Sequence, residues 1–441
     1  MKGPATAGGA PCLRKARIGW CLYDWANSAF ATVVLAAVLP VYFASLVPAG
    51  GAPLFWSDQP VPATALWGYL ISLSMAFVAL TAPAFGNLAD RRGWRLRLLV
   101  LFCLLGSLAT CGLAFAAAGQ YLLAAGLFLV GNVGFASGNI FYNAYLPDLA
   151  TGHDADRLSA HGFALGYVGG GLTLLIVFLI IQQHALLGFT DQASATRFGF
   201  LLTGVWWLGF ALPTMAWLKD VPVSGGVLHA LRSPRDYVKT LADLRQYRHL
   251  GRFLIAFLLY NDGIQTIIAV SAIFARQELG LETGTILACF LMIQFVAMPG
   301  ALLFSRLAGR FNAKSAVLVS LLIFTVITVY AAVMQTAIEF WVLGFAVAIV
   351  LGGSQALSRS LFSVMVPKHR SAEFFGFYAI SSKFASIFGP LLFALLIDLT
   401  DSNRVAIVAL ALFFIAGIIL LLGVDVEAGQ RQAASATEMT A

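Results

Sequence analysis

Residues Gly86–Arg97 read GNLADRRGWRLR. The stretch sets a glycine, then an aspartate four positions on, then four arginines within seven positions. On either side lie Leu66 to Phe85 and Leu98 to Ala118, two runs without a charged residue. Each run is close to the roughly 20 residues that cross a bilayer core of about 30 Å. A basic joint between two such runs is what two membrane helices joined at the lipid headgroups require.

Working outward, ten more runs of this kind appear, with short polar joints between them. The first six run Trp20 to Leu46, Leu66 to Phe85, Leu98 to Ala118, Leu122 to Leu146, Phe163 to Ile181 and Phe198 to Leu218. The second six run Phe253 to Phe274, Ile286 to Leu307, Ala316 to Met334, Phe340 to Phe362, Phe374 to Ile397 and Val405 to Val424. Hydrophobic residues make up 60% of the 441 positions and charged residues 11%, against about 25% charged in soluble domains. So much apolar surface belongs in lipid. The runs are too long for barrel strands and lack an alternating polar face. The fold class expected is all-α integral membrane, with twelve transmembrane helices. The first run is longer than a signal core and holds Asp24 and Asn27, so it reads as a span and not as a cleavable leader.

The basic residues give an orientation. Of 27 Lys and Arg, 22 fall in the tails and in one alternate set of joints. The other set holds Arg197, Arg276 and Arg404, and Arg359 and Lys383 lie inside spans. The positive-inside rule places the rich joints and both termini in the cytoplasm. The net charge of +7 is accounted for by these joints and implies no nucleic-acid partner. Cysteines 12, 21, 103, 111 and 289 have no paired spacing, so neither disulfides nor a metal or other cofactor is expected.

A polar stretch divides the chain into six spans and six. The domains expected are 1–218, a linker 219–252, 253–425, and a tail 426–441. Within the linker, Leu231, Val238, Leu241 and Leu244 recur near helical spacing among basic residues, which suits an amphipathic helix on the membrane face. The halves repeat. Tyr23, Asp24 and Asn27 of span 1 match Tyr260, Asn261, Asp262 and Gln265 of span 7, and SRLAGRFNAK from Ser305 echoes the opening stretch. Spans 4 and 10 both end near a proline, Pro147 and Pro367. Such a repeat generates two pseudo-symmetric six-helix bundles around a central site.

With Gly86, Asp90, Arg91, Gly93 and Arg95, the chain resembles the major facilitator superfamily, whose loop between spans 2 and 3 has this signature. The resemblance implies a conformational latch at these residues. The second copy has Gly309 and Asn312 where the first has Asp90 and Gly93, which puts its latch role in doubt. Four further patches narrow the likeness: WCLYDWANSAFATVV from Trp20, FYNAYLPDLA from Phe141, LYNDGIQT from Leu259 and EFFGFYAISSKFASIFGP from Glu373. They resemble the autophagy-related vacuolar effluxer family and its bacterial relatives. That likeness implies a facilitative or proton-linked carrier of small metabolites, with amino acids the family's described cargo. The short loops and short tails suit a bacterial protein, so a bacterial inner membrane is expected, and a monomer with it.

Charged side chains inside a bilayer are usually paired, hydrated or functional. Asp24, Asp262, Arg359 and Lys383 are the four here, on spans that line or flank the cavity in carriers of this type. They fit an amino acid: Lys383, assisted by Arg359, for its carboxylate, and Asp262 or Asp24 for its amine or for a coupling proton. Asn27, Asn139, Asn143, Gln265 and Gln355 complete the candidate polar lining. Ion pairing between helices is the alternative for the charges, and helix-to-helix hydrogen bonding for the amides. Glycines 162, 166, 169, 170 and 171 of span 5 allow close helix contact, and Tyr167 stands where the exporter-type motif has proline. A membrane enzyme or a transport-inactive sensor is the competing class. The chain has no HExxH, GxSxG or P-loop pattern to support direct proteolysis, serine hydrolysis or ATP coupling.

Reporter fusions test the topology. Fusions after Arg97 and after Gly251 are expected to read cytoplasmic, and one after Gln59 external. A reversed pattern contradicts the charge rule for this chain.

Overall fold

The computed structural model describes residues 10–438 apart from 49, 55–56, 221–246, 385–387 and 401. The amphipathic linker helix expected near residues 231–244 lies outside the described residues.

Span 1 starts earlier than its apolar run. Helix α1 is Ala10–Ala29, continues as a wide π turn over Phe30–Ala37, and then bends by 46° into α2, Leu39–Leu46. Pro40 accounts for the break: proline has no N–H to give the preceding turn and its ring crowds that turn's carbonyl. A short hairpin follows, β1 Ala52–Leu54 pairing antiparallel with β2 Ser57–Val61. The remaining first-half helices are α3 Ala63–Arg92, α4 Arg95–Gly112, α5 Tyr121–Ala144, α6 Leu146–Leu149, α7 His153–Gln182 and α8 Gln192–Trp217. The second half has α9 Arg248–Gln277, α10 Thr283–Arg310, α11 Ala313–Ala331, α12 Ala337–Met365, α13 Ser371–Phe384, α14 Phe388–Thr400, α15 Asn403–Ala409, α16 Ala411–Leu422 and α17 Val426–Glu438.

Among the described residues, ten helices are long and apolar enough to cross a membrane, and eleven when the bent pair of span 1 counts as one. Span 11 is divided between α13 and α14, on either side of 385–387. The count is consistent with twelve.

Local chemistry sets the helix ends. Gly93, at φ +65°, takes the left-handed turn after α3 that a side chain would resist. Asp191 and Ser194 form a capping box at the start of α8, as Thr336 and Glu339 do for α12. The Ser194 amide donates to Asp191 and holds that carboxyl below the ordinary aspartate range. Asn312 accepts from Ser315 N at 2.6 Å and starts α11.

The chain forms two compact units. One comprises Met1–Ala82, Gly93–Tyr142 and Leu165–Ser224, and the other Pro83–Arg92, Asn143–Ala164 and Gly225–Ala441, counting the described residues of each. In the first unit, α7 lies close on α1. A methyl group at Gly169 would stand 2.5 Å from the Trp25 carbonyl oxygen, and one at Gly166 would stand 2.8 Å from Ser28 Oγ. Glycine is what permits two backbones to approach so nearly. In the second unit, Arg404 ties three joints together. Its Nε donates to Glu278 Oε2 at 3.0 Å, and its NH1 donates to the carbonyls of Ala332 at 2.6 Å and Met334 at 2.9 Å. One of the three basic residues in the sparse joints is thereby used within the protein.

Candidate functional site

The second unit takes in the ends of three first-half helices and sets them against second-half helices at the end with the basic joints. The C-terminal turn of α3 meets the first turn of α13. Asp90 is buried, and its carboxylate accepts from Ala372 N at 3.1 Å and from Glu373 N at 2.9 Å. The first amides of a helix have no partner in the helix itself, and the helix dipole adds positive potential there. Asp90 therefore caps α13 from another helix. Gly86 makes this possible, because a methyl group there would lie 2.6 Å from the Ala372 carbonyl oxygen. Glu373 adds a second carboxylate, which Arg370 holds with two hydrogen bonds at 2.8 and 3.0 Å. Ser371 Oγ donates to the Ala144 carbonyl at 2.9 Å. Of the other signature residues, Gly93 makes the turn described above, Arg91 is exposed and Arg95 is buried.

Arg359 is the second centre. It is buried in α12, where its Nε donates to Ser159 Oγ at 2.9 Å, NH2 to the Ser159 carbonyl at 2.9 Å and NH1 to Asn143 Oδ1 at 3.3 Å. Its guanidinium lies 4.1 Å from the centre of the Phe163 ring. Hydrogen bonds on its edge and an aromatic ring on its face suit a planar guanidinium and no other cation. Ser159 Oγ in turn donates to the Ala356 carbonyl at 2.6 Å, and Ser360 Oγ donates to Asp156 Oδ1 at 2.5 Å. Two of the sequence candidates, Asn143 and Arg359, are thus brought together.

The remaining candidates fall in separate places. In the first unit, Asp24 Oδ2 accepts from Tyr142 Oη at 2.7 Å, and Tyr142 stacks on Trp20 with ring centres 4.5 Å apart. Asn27 Nδ2 donates to Asn139 Oδ1 at 2.8 Å. In the second unit, Asp262 is fully buried, and neither of its carboxylate oxygens has a hydrogen-bond partner among the described residues. The Gly389 amide on α14 is the backbone group directed at that carboxylate. Gln265 is half-buried on the following turn of α9. Lys383 lies at the end of α13, and its side chain is outside the described ones. Asn261 Nδ2 donates to the Ser382 carbonyl at 3.3 Å, so the stretches that hold Asp262 and Lys383 run side by side.

Sequence reasoning missed Ser159, Asp156, Ser360 and Tyr142. The serines show no signal, since a serine in a helix is ordinary. Asp156 follows two other polar positions in a joint and reads as a solvated charge. Tyr142 lies within the quoted FYNAYLPDLA patch but reads as apolar lining.

Solved structures of major facilitator transporters share this fold. The human organic anion transporter MFSD10 aligns with a TM-score of 0.72 at 17% identity, over 93% of this chain and 99% of that one. The transporter FucP in its outward conformation gives 0.69 at 14%, over 94% and 99%. In sequence, the chain is 35% identical over 412 residues to a Bacillus subtilis protein named as an uncharacterized MFS-type transporter, YxiO, covering 92% of this chain and 94% of that protein. It is 25% identical over 454 residues to autophagy-related protein 22 of Yarrowia lipolytica, covering 83% and 76%. The family model described as vacuole effluxer Atg22 like matches residues 13–434. The chain is a multi-pass transporter of the major facilitator type, and it belongs to the Atg22-like vacuole effluxer family.

Removing the charge at Asp90 weakens a cap of about 1–2 kcal/mol, which shifts a two-state balance by about five- to thirtyfold. Asp90→Asn is expected to lower transport at least fivefold without changing membrane insertion. Full transport by that variant would reduce the contact to a turn.

Proposed function

We propose that the protein carries a small zwitterionic metabolite, an amino acid by class, across a bacterial inner membrane by alternating access, with the basic joints and both termini in the cytoplasm. The observation that carries the reading is the set of contacts from Asp90, Arg359 and Ser371. Each joins an end of a first-half helix to a second-half helix through side chains or helix ends, so it can break and reform without disturbing either helix. They act as the cytoplasmic closure of one access state. Residues 1–218 and 253–425 are then the two moving bundles, with 219–252 as the connection and 426–441 as a tail.

The cargo reading rests on the residues left over. Asp24, Asn27, Asn139, Asn143 and Arg359 have partners within the protein, and Asn143 and Arg359 belong to the closure. Asp262 has none among the described residues. An ionised carboxylate in an apolar span costs several kcal/mol, so this position suits a carboxyl that takes up a coupling proton or meets a substrate ammonium. Lys383, on the adjoining stretch, takes the substrate carboxylate, and Gln265 adds hydrogen bonding. The family and its fungal relatives support an effluxer role.

The rival reading is a bridge between Lys383 and Asp262 that only joins helices. Counterflow of labelled amino acids in proteoliposomes, followed by uptake driven by an imposed proton gradient, separates the two. Each of Lys383→Met and Asp262→Leu is expected to abolish gradient-driven uptake, and the double variant to stay inactive while folding and inserting. Recovery of concentrative uptake in the double variant would establish the bridge instead, because no unpaired charge then remains.

A further inference from the structure

The chain beyond span 12 is tied down where it leaves the membrane. Lys314, at the start of α11, donates from Nζ to the carbonyls of Leu422 at 2.9 Å and Val424 at 2.7 Å, and Arg252 NH1 donates to the Gly423 carbonyl at 3.2 Å. These carbonyls lie at and just past the end of α16, where helix geometry leaves them open. The next residue, Asp425, gives its amide to His249 Nδ1 at 3.0 Å and accepts from the Ala428 amide at 2.9 Å. It thereby caps α17, and that amide holds its carboxyl below the ordinary aspartate range. Gly429 then lies on the end of α12. A methyl group there would stand 2.8 Å from Met365 Sδ and 2.9 Å from its Cγ, and both Met365 and Ala433, one turn further along α17, are buried. The helix packs against α12, α9 and the turn Lys368–Arg370. Its 13 residues are marginal as an isolated helix in water, so it owes its order to this cap and this seat.

The turn Lys368–Arg370 has no buried residue of its own. It joins the end of α12 to Ser371, and the two amides that follow, of Ala372 and Glu373, are the ones Asp90 holds. A joint without a core takes its shape from what packs on it. We infer that α17 is a strap on this joint: it fixes the turn in the form that presents those amides to Asp90, and so sets how long the closure lasts. The inference rests on the alternating-access reading above. Lys314, Arg252, His249 and Met365, which anchor the strap, all belong to the second half of the chain, so it stays seated when the halves part. It acts by ordering one side of the contact in advance, which lowers the entropy cost of re-forming the Asp90 cap.

The strap is tested by undocking it in the full chain. Gly429→Phe puts a ring where Met365 lies, and Ala434→Phe, on an exposed position of the same helix, is the matched control. Spin labels at Arg157→Cys on α7 and Arg310→Cys on α10, both exposed, report the separation of the helix ends. They are placed in a chain with its five native cysteines replaced, in nanodiscs and without substrate. Gly429→Phe is expected to raise the ratio of long-distance to short-distance populations about two- to fivefold, the size of losing a helix-end charge contact. Removal of residues 426–441 is expected to do the same, and Ala434→Phe to leave the ratio unchanged. Asp90→Asn alone is expected to raise it, and Gly429→Phe to add little in that background, because both act through one contact. An unchanged ratio in either the Gly429→Phe or the shortened chain, beside a rise in Asp90→Asn, overturns the strap and leaves the carrier reading standing. A full further rise in the Asp90→Asn background also overturns it, since the helix then acts elsewhere. No rise in Asp90→Asn itself overturns the closure, and the strap with it.

Discussion

A carboxylate held against the open amides of a helix it does not belong to is the contact on which the rest of this structure depends. Asp90 is buried and accepts two backbone hydrogen bonds at the start of α13. At 3.1 and 2.9 Å the bonds are of ordinary length, and the carboxylate makes both of them charge-assisted. Everything around them serves the approach. Gly86 removes a side chain that would collide with Ala372, Gly93 turns the chain away after α3, and Arg370 balances the second carboxylate at Glu373.

Arg359 follows the same logic with the opposite charge. A buried guanidinium is costly unless each edge is used, and here Ser159, Asn143 and the Phe163 ring use its edges and one face. Its partners lie in the first half of the chain while its helix lies in the second. An intramembrane arginine in a carrier invites a substrate role, but the hydrogen bonds shown for this one go to Ser159 and Asn143. Asp262 is the contrast. It is buried as fully, and neither carboxylate oxygen has a hydrogen-bond partner among the described residues.

Much of this was legible in the sequence. The spans follow from apolar run length alone, and the loop signature from Gly86 to Arg95 marked the cap before its target was known. The repeat matched Pro147 to Pro367, and that register sets Gly138 opposite Ser358. The structure places Tyr23 Oη against Gly138 and Tyr260 Oη on Ser358 Oγ at 2.6 Å. What the sequence hid was partnership. Ser159 and Ser360 carry no periodic or compositional signal, and their contacts span 200 and 204 residues of chain. The π turn and bend in span 1 were equally hidden, since an apolar run that holds Pro40 scores as one span whether or not it bends.

The central claim is that the contacts at the basic end break and reform during each transport cycle. Ser371 Oγ and the Ala144 carbonyl, 2.9 Å apart, offer a place to test it by covalent closure. With the native cysteines replaced, Ala144→Cys and Ser371→Cys are oxidised to a disulfide, and counterflow is measured before and after reduction. The account predicts that transport stops when the bond forms and returns when it is reduced. Full counterflow with the disulfide quantitatively formed would contradict it.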